Sequence, residues 1–213
     1  MIDHLDKIYG EKKESVERYK KLYSINDLKE KIKAYKNYYD FKKPLNNKKK
    51  VNVIAEIKKA SPSAGEIIKN YNPTEIAKNY SKAGATCLSV LTEEKNFKGK
   101  IEDIQEIKKE VKLPILCKDF IYDEYQLYLA RAFGADAILI ILKGIGQQRA
   151  VELRMIAKVL GLAVIYEVHT AIEAEQIAGL EDVILGINNR NLETLETNIK
   201  NTFDVYNNVL LKK

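Results

Sequence analysis

The sequence has little cysteine and no long apolar run. Its two cysteines, Cys87 and Cys117, both lie inside apolar segments, as is typical of reduced, packed thiols in a cytosolic protein. The longest apolar runs are about as long as a strand, well short of the ~20 residues that a membrane helix needs. The N-terminus lacks the apolar segment of a signal peptide. We therefore expect a cytoplasmic protein without a membrane partner.

Several site and linker signatures are also missing. No spacing of cysteine and histidine suggests a metal site, and no Gly-x-Gly-x-x-Gly follows the first predicted strand. The sequence shows no low-complexity linker. A chain of 213 residues can bury a sizeable core, so we expect a single domain over residues 1–213.

The net charge of +6 comes almost entirely from lysine. The basic excess lies mainly in residues 12–50, where it mixes with Glu and Tyr at helical spacing. This pattern favours a solvated lysine-rich face over a nucleic-acid surface, so we expect no nucleic-acid partner. An anionic small-molecule substrate is a third explanation, which the motifs favour.

The beginning of the chain indicates a helical extension. Residues 3–22 carry apolar side chains at helical spacing among charges, and a second helix is predicted from Ser24 to about Tyr39. Pro44 then breaks the helical pattern. We therefore predict an N-terminal helical extension over residues 1–47.

From residue 48 onward, apolar strands alternate with amphipathic helices. Each strand is rich in Val, Ile and Leu, as expected for parallel strands that are buried on both faces. The predicted strands cover residues 51–57, 86–91, 113–118, 137–142, 162–167 and 182–187. Among the helices, Thr170 and Glu173 predict a capping box, and the sixth helix covers Asn198–Leu211.

Repeated βα units build either a doubly wound sheet or a (β/α)8 barrel. Polar residues follow the C-terminal end of almost every predicted strand. In a barrel they converge above one core, whereas in an open sheet they spread along an edge. We therefore predict an α/β fold of the (β/α)8 TIM-barrel type, with six βα units over residues 48–213.

The first predicted strand ends in a charged pair. Glu56 and Lys58 share a face with Ile54, because side chains two apart on a strand point the same way. An acid and an amine at the end of a buried strand are costly unless they are paired or used. Ser61, in the turn that follows, adds a hydroxyl group. We interpret this segment as a strand with an active-site end.

Two other strand ends carry acid/base candidates. Lys118 shares a face with Leu116, and Glu167 shares one with Ile165 and His169. A partly buried lysine can act as an acid or a base near neutrality, but Lys118 and Glu167 could equally form a structural ion pair. Both interpretations stay open, although two acid/base pairs at one mouth favour catalysis. His169 by itself is typical of a satisfied structural histidine.

The segment after the last strand and two phenylalanines complete the candidates. Asn188 and Arg190 supply an amide and a guanidinium that suit a substrate hydroxyl, carboxylate or phosphate, although a plain polar loop also explains them. Phe97 and Phe120 could wall an aromatic substrate, although single aromatic side chains more often belong to a core.

Five motifs, taken together, resemble those of a known family. They are Glu56-Ile-Lys-Lys-Ala-Ser-Pro-Ser63, Ser89-Val-Leu-Thr-Glu-Glu-Lys-Asn-Phe-Lys-Gly99, Cys117-Lys-Asp-Phe120, Glu167-Val-His169 and Gly186-Ile-Asn-Asn-Arg-Asn-Leu192. In their order and spacing, the chain resembles indole-3-glycerol phosphate synthase over nearly its whole length. Several separate motifs are more specific than a single pattern.

The resemblance implies a reaction. The family closes the pyrrole ring of 1-(2-carboxyphenylamino)-1-deoxyribulose 5-phosphate, with loss of CO2 and water, and so acts as a carboxy-lyase in tryptophan biosynthesis. It uses no metal and no organic cofactor. The resemblance therefore implies a small phosphorylated substrate and no cofactor.

The resemblance also implies residue roles. Lys118 would be the general acid that drives ring closure, and Glu167 the acid/base partner of the dehydration. Glu56 and Lys58 would orient and neutralise the substrate, and Asn188 would hold its hydroxyl. The implied substrate-binding residues are Ser61, Ser89, Leu91, Phe97, Phe120 and Arg190.

The chain departs from the family in its length. It ends at Lys213, inside the predicted sixth helix, whereas a barrel of this type has eight strands. We expect strands one and six to be unpaired edges, through which copies of the chain could form a homo-oligomer. The alternative function is a non-catalytic partial barrel that needs a partner or a second copy. A less favoured alternative is a Schiff-base aldolase-type barrel with Lys118 as nucleophile.

Overall fold

The computed structural model describes residues 4–191 and 196–210. Residues 1–3, 192–195 and 211–213 lie outside these ranges. The predictions that include them are the start of the helical extension and of its first helix, Leu192 in the last motif, and the end of the sixth helix and of the predicted domain. Within the described ranges, no helix is both long enough and apolar enough to cross a membrane.

Helices alternate with strands along most of the chain. The helices are α1 (His4–Leu22), α2 (Ile25–Ala34), α3 (Lys42–Leu45), α4 (Pro73–Lys82), α5 (Glu102–Glu110), α6 (Glu124–Ala132), α7 (Leu142–Val159), α8 (Ala171–Ile177) and α9 (Lys200–Val205). The strands are β1 (Ile54–Ile57), β2 (Ala60–Ser61), β3 (Gly65–Glu66), β4 (Cys87–Leu91), β5 (Ile115–Lys118), β6 (Ala137–Ile141), β7 (Ala163–Val168) and β8 (Val183–Ile187). Gly146 interrupts α7, because its φ of 74° and ψ of 165° are not helical.

The six longer strands form one parallel sheet in the order β1-β4-β5-β6-β7-β8. They confirm the six predicted strands, with ends that differ by a few residues. β2 and β3 form a separate antiparallel pair, so the prediction of only six strands is wrong for the described residues. Each of these two strands has two residues, and a turn at residues 62–64 joins them. Gly65, the first residue of β3, has a positive φ of 66°. Such short polar segments carry no alternating pattern.

The parallel sheet is curled. β1 and β8 form its opposite edges, yet Nη1 of Arg190, after β8, donates a hydrogen bond of 3.2 Å to Oγ of Ser63, after β1. A flat sheet of six strands would hold its edge strands roughly 24 Å apart. The described chain is therefore an α/β fold with a curled, half-barrel sheet, consistent with a TIM-type fold.

Alternate side chains of the sheet enter two cores. On the convex face, Val90 and Tyr166 belong to a large buried cluster that includes side chains from the flanking helices. On the concave face, Leu139 and Ile165 belong to a smaller cluster that also contains Phe41. The concave face is therefore packed with apolar side chains along the strands and becomes polar only at their carboxyl ends.

Helix α1 lies across the carboxyl ends of β4 and β5. Nζ of Lys12 is 2.7 Å from Oδ2 of Asp119, and the two side chains are only 6% and 8% exposed. Arg18 and Tyr19 donate hydrogen bonds of 2.6 Å and 2.7 Å to Glu94. Polar side chains thus attach the N-terminal extension to the functional end of the sheet.

The predicted second helix was too long. α2 ends at Ala34, and the following tyrosines pack at the amino ends of the strands. Arg131 stacks 3.3 Å from the ring centre of Tyr38, and the backbone N–H of Tyr39 donates a 2.7 Å hydrogen bond to Asp136. These tertiary contacts need an extended chain and override the local helical spacing.

Two further helix predictions need correction. Pro44 lies in the first turn of α3, where a missing N–H is tolerated, instead of breaking the helical pattern. The predicted sixth helix begins only at Lys200, and α9 passes into a π-helical turn at Tyr206–Leu210.

Candidate active site

A cavity of about 460 Å³ opens on the concave face at the carboxyl ends of the strands. We term it the mouth cavity. Every predicted site residue except Ser61 lines it: Glu56, Lys58, Ser89, Leu91, Phe97, Lys118, Phe120, Glu167, Asn188 and Arg190. Its floor is apolar and includes Leu116, Leu139 and Ile165. The structure thus brings the predicted residues together, while their roles stay predictions.

Strand register explains this convergence. Glu56 is the register partner of Ser89, and Leu91 is the partner of Lys118. Paired positions of neighbouring parallel strands point to the same face of a sheet. Because the sheet is curled, residues on its concave face approach each other from distant strands.

Glu167 is the centre of a three-residue cluster. Nζ of Lys118 lies 3.3 Å from its Oε2, and Nδ2 of Asn188 donates a 2.9 Å hydrogen bond to its Oε1. The Glu167 side chain is 11% exposed, whereas that of Lys118 is 27% exposed. One carboxylate oxygen thus faces an ammonium and the other an amide, at the wall of a cavity.

Glu56 and Lys58 form a second acid–amine pair in the same cavity. Their charged atoms are 2.6 Å apart, and about one third of each side chain is exposed. Both ion pairs that the sequence left open are therefore present. They also line a cavity, where the same groups can exchange protons with a ligand and neutralise its charge.

Ser89 offers a polar contact deeper in the mouth cavity. It is 4% exposed, and its Oγ has no hydrogen-bond partner among the described residues. A buried hydroxyl without a partner is costly. Ser89 is therefore suited to a polar atom of a ligand.

The loop after β4 positions Phe97, which together with Phe120 forms one side of the mouth cavity that we term the aromatic wall. The carboxylate of Glu93 accepts hydrogen bonds from the backbone N–H groups of Asn96 at 2.7 Å and Phe97 at 2.9 Å. The rings of Phe97 and Phe120 then lie with centroids 6.1 Å apart. Gly99 closes this loop where a Cβ would lie 2.1 Å from the carbonyl oxygen of Leu91, so a larger residue does not fit.

Ser61 lies in a neighbouring cavity of about 360 Å³, which we term the hairpin cavity. Its Oγ accepts a 3.2 Å hydrogen bond from the backbone N–H of Ala64. Lys58 and Arg190 line both cavities. Phe97 and Phe120 also line both cavities, so the hairpin cavity adjoins the mouth cavity and a long substrate can extend from one into the other.

Sequence reasoning missed the contribution of α1 to this end of the sheet. Tyr9 is 8% exposed, and its ring meets that of Phe120 edge to face at 5.8 Å. Burial, together with the charges of Glu167 and Asp119, raises the pKa of Tyr9 above its usual range, so its hydroxyl stays neutral. The apolar spacing from Leu5 to Tyr9 was the available signal, but it does not show which surface the helix covers.

The prediction that His169 is a satisfied structural histidine is wrong. Nε2 of the histidine lies 3.7 Å from Oε1 of Glu167, and its Nδ1 lies 3.7 Å from Oε2 of Glu173. Neither ring nitrogen has a hydrogen-bond partner among the described residues, so the histidine is not satisfied. The predicted capping box is only half formed: Thr170 accepts from the backbone N–H of Glu173, but the Glu173 carboxylate bonds to the N–H of His169.

Other sites are weaker candidates. Within residues 4–191 and 196–210, no group of three or more His, Cys, Asp or Glu side chains could hold a metal ion. A cavity of about 480 Å³ lies at the amino ends of the strands, where Phe41, Arg131 and Arg154 line it. It contains none of the predicted site residues.

Comparisons with known proteins agree with one another at the sequence level. The family model for indole-3-glycerol phosphate synthase matches residues 5–212. The indole-3-glycerol phosphate synthase of Prochlorococcus marinus strain AS9601 is 43% identical over 205 residues, which are 95% of this chain and 70% of that protein. The enzyme of the same name from Burkholderia ambifaria strain MC40-6 is 43% identical over 208 residues, which are 96% of this chain and 79% of that protein.

Similarity to solved structures is weaker. The structure of N-succinyl Arg/Lys racemase from Bacillus cereus matches 68% of this chain and 38% of its own, with a TM-score of 0.49 and 12% identity. This likeness is too low to support an argument about fold or function.

Proposed function

The chain belongs to the indole-3-glycerol phosphate synthase family, and from this premise we propose how its mouth cavity performs the reaction. The substrate is 1-(2-carboxyphenylamino)-1-deoxyribulose 5-phosphate, and the products are indole-3-glycerol phosphate, CO2 and water. The observation that carries the proposal is the Lys118–Glu167–Asn188 cluster, which lies in one cavity with the Glu56–Lys58 pair. This activity makes the protein a carbon–carbon lyase of tryptophan biosynthesis.

Lys118 acts as the general acid of ring closure. Its ammonium donates a proton to the substrate carbonyl oxygen as the aromatic carbon attacks the carbonyl carbon. Its position supports this role, because it lies at a strand end with its charged atom beside Glu167 and within the cavity wall. A positioned acid of this kind contributes roughly 10²–10⁴-fold to a rate.

Glu167 serves the dehydration that follows loss of CO2. Its carboxylate takes the proton that leaves the substrate carbon, while the amide of Asn188 holds the substrate hydroxyl and the carboxylate in place. The hydroxyl departs as water with a proton taken from solvent in the mouth cavity, and Lys118 regains from the same solvent the proton that it gave up in ring closure. The 2.9 Å hydrogen bond between Asn188 and Glu167 supports this arrangement. Fixed charges in a partly dry cavity stabilise developing charge better than water does.

The remaining residues bind the substrate. Lys58 neutralises its carboxylate and is oriented by Glu56, and the aromatic wall of Phe97 and Phe120 packs against its ring. Ser89 and Leu91 complete the pocket around that ring. Ser61 and Arg190 extend the binding surface into the hairpin cavity towards the other end of the substrate.

The test is turnover by the chain and two variants. We expect indole fluorescence to appear with substrate, without interference from protein tryptophan because the sequence contains none. Lys118→Met and Glu167→Gln should each lower kcat by about 100-fold or more. Lys112→Met, an exposed lysine on the segment before β5, should leave kcat unchanged. No turnover by the folded chain, or normal turnover by both variants, contradicts the proposal.

Membership of the family also has a consequence for the fold. The chain spans about 70% of the length of the Prochlorococcus marinus relative. We propose that its curled sheet is the six-strand part of a (β/α)8 barrel whose active site lies at the carboxyl ends of the strands. The free, buried thiols of Cys87 and Cys117 support the further proposal that the protein works in the reducing cytoplasm.

A second candidate is a partial barrel that needs another copy of itself. Its support is the pairing pattern, since β1 pairs only with β4 and β8 only with β7 among the described residues. Val51, just before β1, is 89% exposed. If the active form is a dimer, the specific activity of the chain should rise with protein concentration. A monomer whose specific activity is constant rules out this second candidate.

A further inference from the structure

His169 lies beside Glu167 and faces its Oε1, whereas Lys118 faces its Oε2. The strand geometry sends Glu167 into the mouth cavity and carries His169 just beyond the end of β7. The His169 side chain is only 10% exposed. Its two ring nitrogens each face a carboxylate at 3.7 Å, which is longer than a hydrogen bond. A buried imidazole with two unmade hydrogen bonds is unfavourable, so the arrangement needs an explanation.

Glu173 is held in place beside the imidazole. Its carboxylate accepts a 2.7 Å hydrogen bond from the backbone N–H of His169, and its own N–H is bonded to Oγ1 of Thr170. The hydrogen bond from the backbone N–H of His169 favours the ionised form of the Glu173 carboxylate. Glu173 is therefore placed to accept a proton from the imidazole.

The three side chains lead from one cavity to another. Glu167 lines the mouth cavity, whereas His169 and Glu173 line a separate cavity of about 500 Å³, which we term the side cavity. Asn188 and Arg190 line both. Glu167, His169 and Glu173 thus form a line of proton-binding groups between the two cavities.

We propose that His169 and Glu173 form a proton path that returns Glu167 to its carboxylate form after each turnover. This inference rests on the proposed function, in which Glu167 takes a proton from the substrate. His169 is a positioning residue, because it contacts Glu167 and not the substrate.

The transfer conserves protons and charge. The proton on Glu167 passes to Nε2 of a neutral His169, while the proton on Nδ1 passes to Glu173. Glu167 becomes a carboxylate, the imidazole stays neutral as its other tautomer, and Glu173 becomes neutral. Glu173 then releases the proton to water in the side cavity, and rotation of the imidazole ring carries the remaining N–H from the Glu167 side to the Glu173 side, so that the next proton can be accepted from Glu167. Each 3.7 Å gap must shorten by roughly 1 Å to reach hydrogen-bond distance, as catalytic contacts commonly do when substrate binds.

Charged groups from every neighbouring element surround this line. Lys118 of β5 faces Glu167, and Lys143 of α7 lies near Glu173. Tyr9 of α1 approaches Glu167 but stays neutral, because its pKa is raised. Arg190, after β8, lines both cavities, and Glu196 lines the side cavity, so the line has both cationic and anionic neighbours.

The first test separates this role from a purely structural one. His169→Gln should lower kcat on the order of 10-fold with little change in KM, because substrate binding is intact while release of the proton is slowed. Glu173→Gln can still accept from the His169 N–H and should lower kcat in the same way. The solvent isotope effect on kcat should rise in both. Glu175→Gln, an exposed position of the same helix α8, is the matched control and should change neither constant.

Two results overturn the path. The first is normal kcat in both His169→Gln and Glu173→Gln. The second is a loss that appears mainly in KM with an unchanged isotope effect, since that result indicates a structural role. If His169→Gln fails to fold, as judged by its thermal unfolding, Glu173→Gln still decides the question.

A spectroscopic measurement distinguishes failure of the path from failure of the proposed function. The sequence contains two histidines, so the ¹⁵N ring signals of His169 can be assigned by their loss in His169→Gln. Both ring signals should shift when Glu167→Gln or Glu173→Gln removes a facing carboxylate, and Glu175→Gln should leave them in place. Unchanged signals in the first two variants refute the path even if the enzyme is active. If the chain shows no turnover but its ring signals do shift, the proposed reaction is refuted. The contacts of His169 with the two carboxylates are then still supported.

Discussion

At the scale of single residues, Lys12 and Asp119 link the N-terminal extension to the chemistry. Their ion pair is almost fully buried, and the hydroxyl of Thr92 donates a 2.6 Å hydrogen bond to the same carboxylate oxygen. Burial lowers the pKa of Lys12, but the charge and hydrogen bond of Asp119 outweigh it, so that pKa is raised overall. Since Asp119 follows Lys118 in the chain, the pair fixes the strand end that carries the proposed general acid.

Lys12→Met should therefore destabilise the protein strongly. The substitution leaves the Asp119 carboxylate buried without its cation, and loss of one partner of a buried pair typically costs about 3–5 kcal/mol. Urea unfolding monitored by circular dichroism measures the free energy of unfolding. Lys13→Met, at the next and exposed position, should change it by less than about 0.5 kcal/mol. Equal stability of the two variants would show that the ion pair does not secure α1.

At the scale of secondary-structure elements, α1 is attached to the loop after β4 by polar contacts. Arg18 and Tyr19 both bond to Glu94, and Lys95 of the same loop pairs with Glu14 at 2.7 Å. This loop also carries Phe97 of the aromatic wall. The helix and the substrate-facing loop therefore form one unit whose stability depends on surface charge.

Acid should weaken this unit through Glu94. Burial raises the pKa of Glu94, but the hydrogen bonds and charge of Arg18 and the hydrogen bond of Tyr19 outweigh it and lower that pKa. A lowered pKa in the folded state adds stability above the ordinary glutamate pKa of about 4.3, and this stability is lost as the pH falls through the lowered value. The free energy of unfolding of the wild type should therefore fall below about pH 4 by on the order of 1 kcal/mol more than that of Glu94→Gln.

The check is a series of urea unfolding curves from neutral pH downwards for both proteins. Glu94→Gln lacks this titrating group, so its pH profile measures the loss of stability that comes from the other carboxylates. Parallel pH profiles would mean that Glu94 does not secure the helix.

At the scale of the whole molecule, the curl of the sheet matters most. Arg190 reaches Ser63 across the gap between the edge strands, so the two walls of the mouth cavity are joined by side chains where no strand pairing joins them. The edges β1 and β8 keep unpaired backbone groups among the described residues. Unpaired edges of this kind favour association with another chain.

If two copies associate through the β1 edge, a charge placed beside it should separate them. Val51→Lys puts an ammonium beside the edge at a position that is 89% exposed, and Val159→Lys places the same change on α7 at a position that is 85% exposed. Sedimentation equilibrium should show a dimer for the wild type and for Val159→Lys. Val51→Lys should raise the dissociation constant of the dimer about 10-fold, which corresponds to ~1.4 kcal/mol. A wild type that is monomeric at every concentration refutes the association.

The sequence by itself determined the strands and most of the candidate site. Apolar runs located the six long strands, and the two-residue period fixed the face to which Glu56, Lys118 and Glu167 point. Strand positions and the faces of their side chains are set by residues that are close in sequence, so they can be predicted from local patterns. The family motifs added the reaction and the expected roles of the site residues.

Only the tertiary structure decided how distant segments meet. The end of α2 at Ala34 is set by contacts of the following tyrosines with Arg131 and Asp136, which override helical spacing. The place of α1 over the mouth and the two carboxylates around His169 depend on the curl of the sheet and on the packing of α8. No sequence period encodes a contact between residues that are far apart in the chain. The physical reason is that such contacts follow from the summed packing of the whole fold, in which each single contact is weak.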